Sequence, residues 1–308
     1  MSFGKMPPAN GFLEKKDFKN ETFYDMEVGF SEKISLFQLN KFSNPKIIHS
    51  ANYPFYTSSS EYMKTHFKKY AEWVQKKYLK SYSKLIEVGS NDGTFLKNFV
   101  KTNIDYLGFE PSKTVANQAI KNNIKTINAF FNDGNIQSLK KFQNKTDVIC
   151  AANVISHIPD LINFIHAIEK LLSSKGVFIF EEPYLGSMFS KISYDQIYDE
   201  HIFMFSITSV KKIFSLFDFE LIDAHSQKTH GGSIRYVVGR KNEHNINDRV
   251  HEGIAAEKDR KLDDMVSCLE FKKNCENSKN KVLDSLKKIK KDGKKICGYA
   301  ATAKSTTV

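Results

Sequence analysis

Leu85-Ile86-Glu87-Val88-Gly89-Ser90-Asn91-Asp92-Gly93-Thr94-Phe95-Leu96 decides the fold, because an apolar strand here runs into a Gly-x-x-x-Gly turn that opens a helix. Such a turn lets the backbone approach a nucleoside closely. A second apolar run, Tyr106-Leu107-Gly108-Phe109-Glu110, ends in an acid about 20 residues on, where carboxylates hold ribose hydroxyls. Together the two runs predict an adenosine pocket. Tight strand-to-helix turns also need glycine for steric reasons alone, so the neighbouring residues have to discriminate. The spacing departs from the Gly-x-Gly-x-x-Gly pattern that sets a helix N-terminus against a pyrophosphate, and Glu87 and Asp92 add negative charge. A diphosphate is repelled by that charge. The sulfonium of S-adenosylmethionine is tolerated, which favours methyl transfer over hydride transfer.

The chain has 308 residues, 41% of them hydrophobic, enough for one large domain with smaller appendages. It contains no run near the roughly 18 apolar residues of a membrane span, and its first residues lack a signal-peptide core, so a cytoplasmic protein without membrane contact is expected. The net charge of +11 is almost wholly lysine; Arg235, Arg240, Arg249 and Arg260 are the only arginines. Groove reading and bidentate phosphate recognition favour arginine, so solvated faces and an anionic small substrate, with no nucleic acid, are expected. Cys150, Cys268, Cys275 and Cys297 form no Cys-x-x-Cys pair and suggest neither disulfides nor zinc.

Strand-like runs at Lys125–Asn128, Val148–Ala151 and Val177–Glu181 alternate with helical patterns after the first two, which predicts a parallel, doubly wound sheet. Glu220–Ala224 and Ser233–Val238, separated by Thr229-His230-Gly231-Gly232, read as a closing antiparallel pair. Before the sheet, residues 1–57 form a small β-rich cap with a hairpin through Glu27–Phe30 and Ile34–Leu39; residues 58–241 are the main α/β domain. Residues 242–308 comprise a solvated connecting helix stopped by Asp292-Gly293, then a fresh strand at Lys295–Ala300 that begins a further, truncated α/β domain.

Two segments carry candidate chemistry. An insertion after the fifth strand, Tyr184–Phe205, contains Tyr194, Tyr198, Asp199, Glu200 and His201, at the sheet edge where open α/β folds bind ligands. Histidine takes a proton near neutral pH, and an adjacent carboxylate and phenol orient a substrate or tune its basicity. Asn153-Val154-Ile155-Ser156-His157 opens onto the same edge, although Asn153 and His157 serve equally well as satisfied groups at a helix N-terminus.

Several further stretches complete an ordered set with these: Pro7–Leu13, Tyr53-Pro54-Phe55-Tyr56, Tyr198-Asp199-Glu200-His201, His230-Gly231-Gly232-Ser233 and Gly298-Tyr299-Ala300-Ala301-Thr302-Ala303-Lys304. Nearly the whole chain thereby resembles the S-adenosylmethionine-dependent sugar C-methyltransferases that act on nucleotide-linked keto-deoxysugars. The resemblance implies a Rossmann-like class I methyltransferase domain between a small zinc-binding domain and a C-terminal domain. It implies S-adenosylmethionine as cofactor, held by Glu87, Gly89, Asn91, Asp92, Gly93, Glu110, Pro111 and Asn153. It implies His201 as the base that removes the proton beside the ketone, with Tyr198, Glu200, His157 and Tyr53 close to the sugar. The family's second zinc pair falls on Ser31 and Ile34, which cannot replace two thiolates, so no metal is expected. An O- or N-methyltransferase on the same fold, a binding protein without turnover and a nicotinamide-dependent oxidoreductase remain as alternatives. The identity of the sugar and the oligomeric state are not legible.

Overall fold

The computed structural model describes residues 1–11, 13–42, 55–299 and 302–308. Seven strands form the central sheet: β4 (Lys84–Val88), β5 (Asp105–Phe109), β6 (Thr126–Ile127), β7 (Thr146–Ala152), β8 (Leu172–Pro183), β10 (Phe219–Gln227) and β11 (Ser233–Arg240). Their order across the sheet is β10-β11-β8-β7-β4-β5-β6. The first four pairings from β6 to β8 are parallel, while β11 runs antiparallel to both β8 and β10. The doubly wound sheet with an antiparallel closing pair is therefore observed as expected.

Alternation along each strand sends side chains to opposite faces. Ile86, Val88, Ile149, Phe178 and Phe180 pack on one face against α4 (Leu161–Leu171) and α6 (Ile207–Phe214). Leu85, Val148, Val177 and Ile179 pack on the other against Phe67, Tyr70 and Val74 of α1 (Glu61–Tyr78). Ser60 caps α1 by accepting from the Met63 N–H, and Asp160 caps α4 by accepting from the Asn163 N–H. Between these lie α2 (Lys113–Lys121) and α3 (Asp133–Ile136); α5 (Leu185–Lys191) follows β8.

The N-terminal strands β1 (Ser2–Met6), β2 (Tyr24–Ser31) and β3 (Leu36–Leu39) form a second sheet, completed by β9 (Phe203–Met204) from the insertion. The Ser31 and Ile34 positions lie at the hairpin turn of β2 and β3. Met26, Val28, Phe37 and Leu39 pack on Leu185, Ile197 and Met204, and on Cys268, Phe271 and Cys275 from the C-terminal end of the chain.

Three expectations need correction. Gly93 opens no α-helix: only a short 3-10 turn, Leu96–Phe99, follows before β5. The single connecting helix is two, α7 (Asp248–Asp259) and α8 (Met265–Lys291), broken where Lys261 takes a left-handed backbone and Leu262 turns into the core. Buried Glu257 of α7 accepts from the Ile207 and Thr208 N–H groups at the start of α6, which anchors α7 to the main domain. Finally, the strand expected from Lys295 is not formed over residues 295–299: among the described residues no strand lies alongside to accept its hydrogen bonds, and Tyr299 is fully exposed. No helix among the described residues is long and apolar enough to cross a membrane.

Candidate active site

A cavity of about 1020 Å³ opens at the C-terminal ends of β4, β5 and β7. Gly89, with φ of +66°, lines it, while Gly93, with φ of +79°, turns the same loop without lining the cavity. Both are required to be glycine: a Cβ at Gly89 would meet Val154 Cγ2 at 2.4 Å, and one at Gly93 would meet Ile124 Cγ1 at 2.8 Å. Glu110 sits at the end of β5 and accepts from the Asn91 N–H at 3.0 Å and the Ser112 N–H at 2.8 Å. Burial pushes its carboxyl up to about 7, partly offset by those two bonds. Glu87, below it, is held well above the usual carboxylate range by burial and by the nearby Asp92 and Glu110. Among the described residues its Oε2 has no hydrogen-bond partner.

Asn91 lines the cavity and Asp92 does not, and the side chains of both bond the segment before α1 or the loop itself. Asn91 Oδ1 accepts from the Thr57 N–H at 2.8 Å, and its amide donates to the Phe55 carbonyl; Asp92 accepts from the Ser58 N–H and the Thr94 hydroxyl. Asp92 thus lies outside the cavity lining, and both side chains fasten the segment before α1 over the glycine loop. Pro111 and Asn153 line the cavity, the latter with φ of +56°. Tyr53 lies outside the described residues. This half of the cavity thus offers two buried carboxyls to a ligand's donors, Glu110 at the end of β5 and Glu87 with an unpartnered oxygen; S-adenosylmethionine, with its ribose hydroxyls and amines, carries such donors.

The other half gathers the insertion. His201 Nδ1 lies 2.8 Å from the Gln196 carbonyl, which can only accept, so Nδ1 carries the proton and Nε2 is the basic nitrogen. Nε2 faces the Tyr198 hydroxyl at 3.0 Å. Burial, then the charges of His157 and Lys304, hold the His201 imidazole well below its ordinary range, so it is neutral at physiological pH. The His157 ring stands edge-on to it at 5.1 Å. Glu200 lies 3.7 Å from His157 Nδ1, and burial raises its carboxyl to about 7. Glu182, also raised to about 7 by burial, accepts from the Val154, Ile155 and Ser156 N–H groups and so fixes the loop bearing His157.

Three contributors were not recognised from sequence. Asn10 donates to Glu200, Ala9 donates to Asp199 at 3.1 Å, and Lys304 enters the cavity beside His201 and His230. The stretches containing them were noted as motifs, but only the fold brings them to the site.

A family model described as a methyltransferase domain matches residues 61–224, and one described as a C-methyltransferase C-terminal domain matches residues 228–308. The curated C-methyltransferase NovU of Streptomyces niveus is 24% identical over 311 residues, spanning 100% of this chain and 74% of that protein. Among solved structures, the PH0226 protein of Pyrococcus horikoshii is 14% identical with a TM-score of 0.48, covering 65% of this chain and 100% of its own. The magnesium protoporphyrin IX methyltransferase of Synechocystis is 12% identical with a TM-score of 0.43, covering 58% and 79% respectively.

Proposed function

The chain belongs to the methyltransferase-domain family, and on that premise we propose that it methylates a carbon beside the ketone of a nucleotide-linked deoxysugar. The two family matches make it an S-adenosylmethionine-dependent C-methyltransferase; the keto-sugar is our step beyond them. When bound, S-adenosylmethionine supplies an electrophilic methyl group on a sulfonium.

The observation that carries the reading is the neutral His201 with Nε2 as its basic nitrogen, lining the same cavity as the glycine loop. Carbon is not nucleophilic until deprotonated, so C-methylation needs a base and an adjacent carbonyl to hold the electron pair. His201 Nε2 takes the proton, and the Gln196 carbonyl holds the imidazole in the tautomer that can take it. The Tyr198 hydroxyl, 3.0 Å from Nε2, orients the ring until the substrate C–H takes its place, while Glu200 and His157 form the polar wall beside it. Glu110 holds the ribose, and the turn at Gly89 lets the adenosine approach the backbone. A largely apolar cavity wall strengthens each of these interactions.

Transfer of labelled methyl from S-adenosylmethionine into a panel of keto-sugar nucleotides tests the reading; incorporation at carbon is expected, and none from any member refutes it. His201→Asn should keep cofactor binding and lose about 100-fold to 10,000-fold in turnover, the scale of a lost general base.

A further inference from the structure

We propose that Lys304 is a catalytic residue, its ammonium stabilising the oxygen of the enolate formed when His201 deprotonates the substrate. The proposal deepens the keto-sugar reading and rests on it. Lys304 reaches the cavity from a 3-10 turn, Ala303–Thr306, whose following residue Thr307 donates to the Ile197 carbonyl. Its Nζ donates to Gln196 Oε1 at 2.9 Å, while the backbone carbonyl of the same Gln196 accepts from His201. One residue therefore holds both the cation and the base. Among the described residues lining the cavity, Lys304 is the only lysine or arginine; the charge of Asp195 acts on it, but no carboxylate among the described residues stands within ion-pair distance of it. A half-buried ammonium that gives one hydrogen bond to a neutral amide keeps donors for another acceptor.

The chemistry needs that acceptor to be anionic. Proton removal sends the C–H bonding pair onto the ketone oxygen and the proton onto His201 Nε2. A weakly basic neutral imidazole gains little from that exchange unless the oxyanion is stabilised. The enolate carbon then takes the methyl group, the carbonyl re-forms, and the sulfur keeps the S–C bonding pair as a neutral thioether. Negative charge thus appears on the oxygen only between the two steps, where a fixed cation lowers the barrier most. The Lys304 charge is one cause of the low basicity of His201, which supports their proximity; burial lowers the pKa of the Lys304 ammonium itself, and the charge of Asp195 opposes that shift.

The test measures solvent-deuterium exchange beside the ketone of a keto-sugar nucleotide without methyl donor, with steady-state kinetics and calorimetric titration of S-adenosylmethionine, for the parent protein, Lys304→Gln and Lys304→Arg. Lys304→Gln should lose at least about 100-fold in both exchange and kcat. It should bind S-adenosylmethionine like the parent, which also verifies its fold, and Lys304→Arg should retain more exchange than the glutamine variant. Exchange at the parental rate in Lys304→Gln overturns the proposal. So does a raised KM with unchanged kcat, which makes Lys304 an anchor for the substrate phosphates. Should the parent itself exchange no proton from any keto-sugar nucleotide, the substrate reading falls, and the proposal with it.

Discussion

Burial pushes Glu110 up to about 7, and the Ser112 and Asn91 N–H groups only partly offset that push. Ribose hydroxyls donate to the ionised form, so binding them draws the proton off. The affinity for S-adenosylmethionine should therefore rise from pH 6 to 8 and level off above, with proton release visible as buffer-dependent heat in calorimetry. Glu110→Ala should remove this dependence and weaken binding by about 1–3 kcal/mol, the scale of a hydrogen bond to a charged group; unchanged affinity in the titration would overturn the ribose role. That Gly89, Glu110, His157, Tyr198, Glu200 and His201 line one cavity was legible because each follows a strand or lies in an insertion beyond the sheet edge, where the fold class itself predicts ligands. Asn10 and Lys304 were not, since no local pattern reports a contact across about 190 or 110 residues. The inward or outward aim of Asn91 and Asp92 was equally hidden: a loop's sequence does not say whether its amides face the ligand or the segment above.

At the level of elements, short apolar runs revealed the strands of the main sheet, because the central ones are covered on both faces and are apolar on both. The same cue failed at Lys295, where the pattern is strand-like but no partner strand among the described residues stands beside it. It also merged α7 with α8, since a left-handed residue at Lys261 is invisible in a polar, lysine-rich stretch. The glycine loop makes the sharpest element-scale prediction. Gly89→Ala places a Cβ 2.4 Å from Val154 and adds left-handed strain, so it should cost about 1–3 kcal/mol in urea unfolding and lower cofactor affinity. Val154→Ala in that background removes the clash but not the strain; partial recovery is expected, and none would point to another cause.

Across the whole molecule, the cap, the insertion and α8 share one core. Phe271 is 2% exposed, stacks on Phe189 with centroids 4.3 Å apart, and meets Phe37 edge-on. Phe271→Ala should destabilise by about 3–5 kcal/mol in thermal or urea unfolding. Retention of parental stability would show that the cap does not depend on α8. Such a core was not legible, because its residues come from three distant stretches with unrelated local patterns. The pairing of β3 with β9, through Phe37 and Met204 and the Leu39 N–H to the Ile202 carbonyl, has a consequence in time as well as space. About 170 residues separate the two strands. At a synthesis rate of about 5–20 residues per second, β3 leaves the ribosome roughly ten to thirty seconds before its partner exists. Its edge has to stay unpaired through that interval, and the segment beginning one residue after His201 is what finally closes it. Closure of such a long loop is slow, so the histidine is set in place late, and a nascent chain passes through a stage with a finished cofactor cradle and no base beside it.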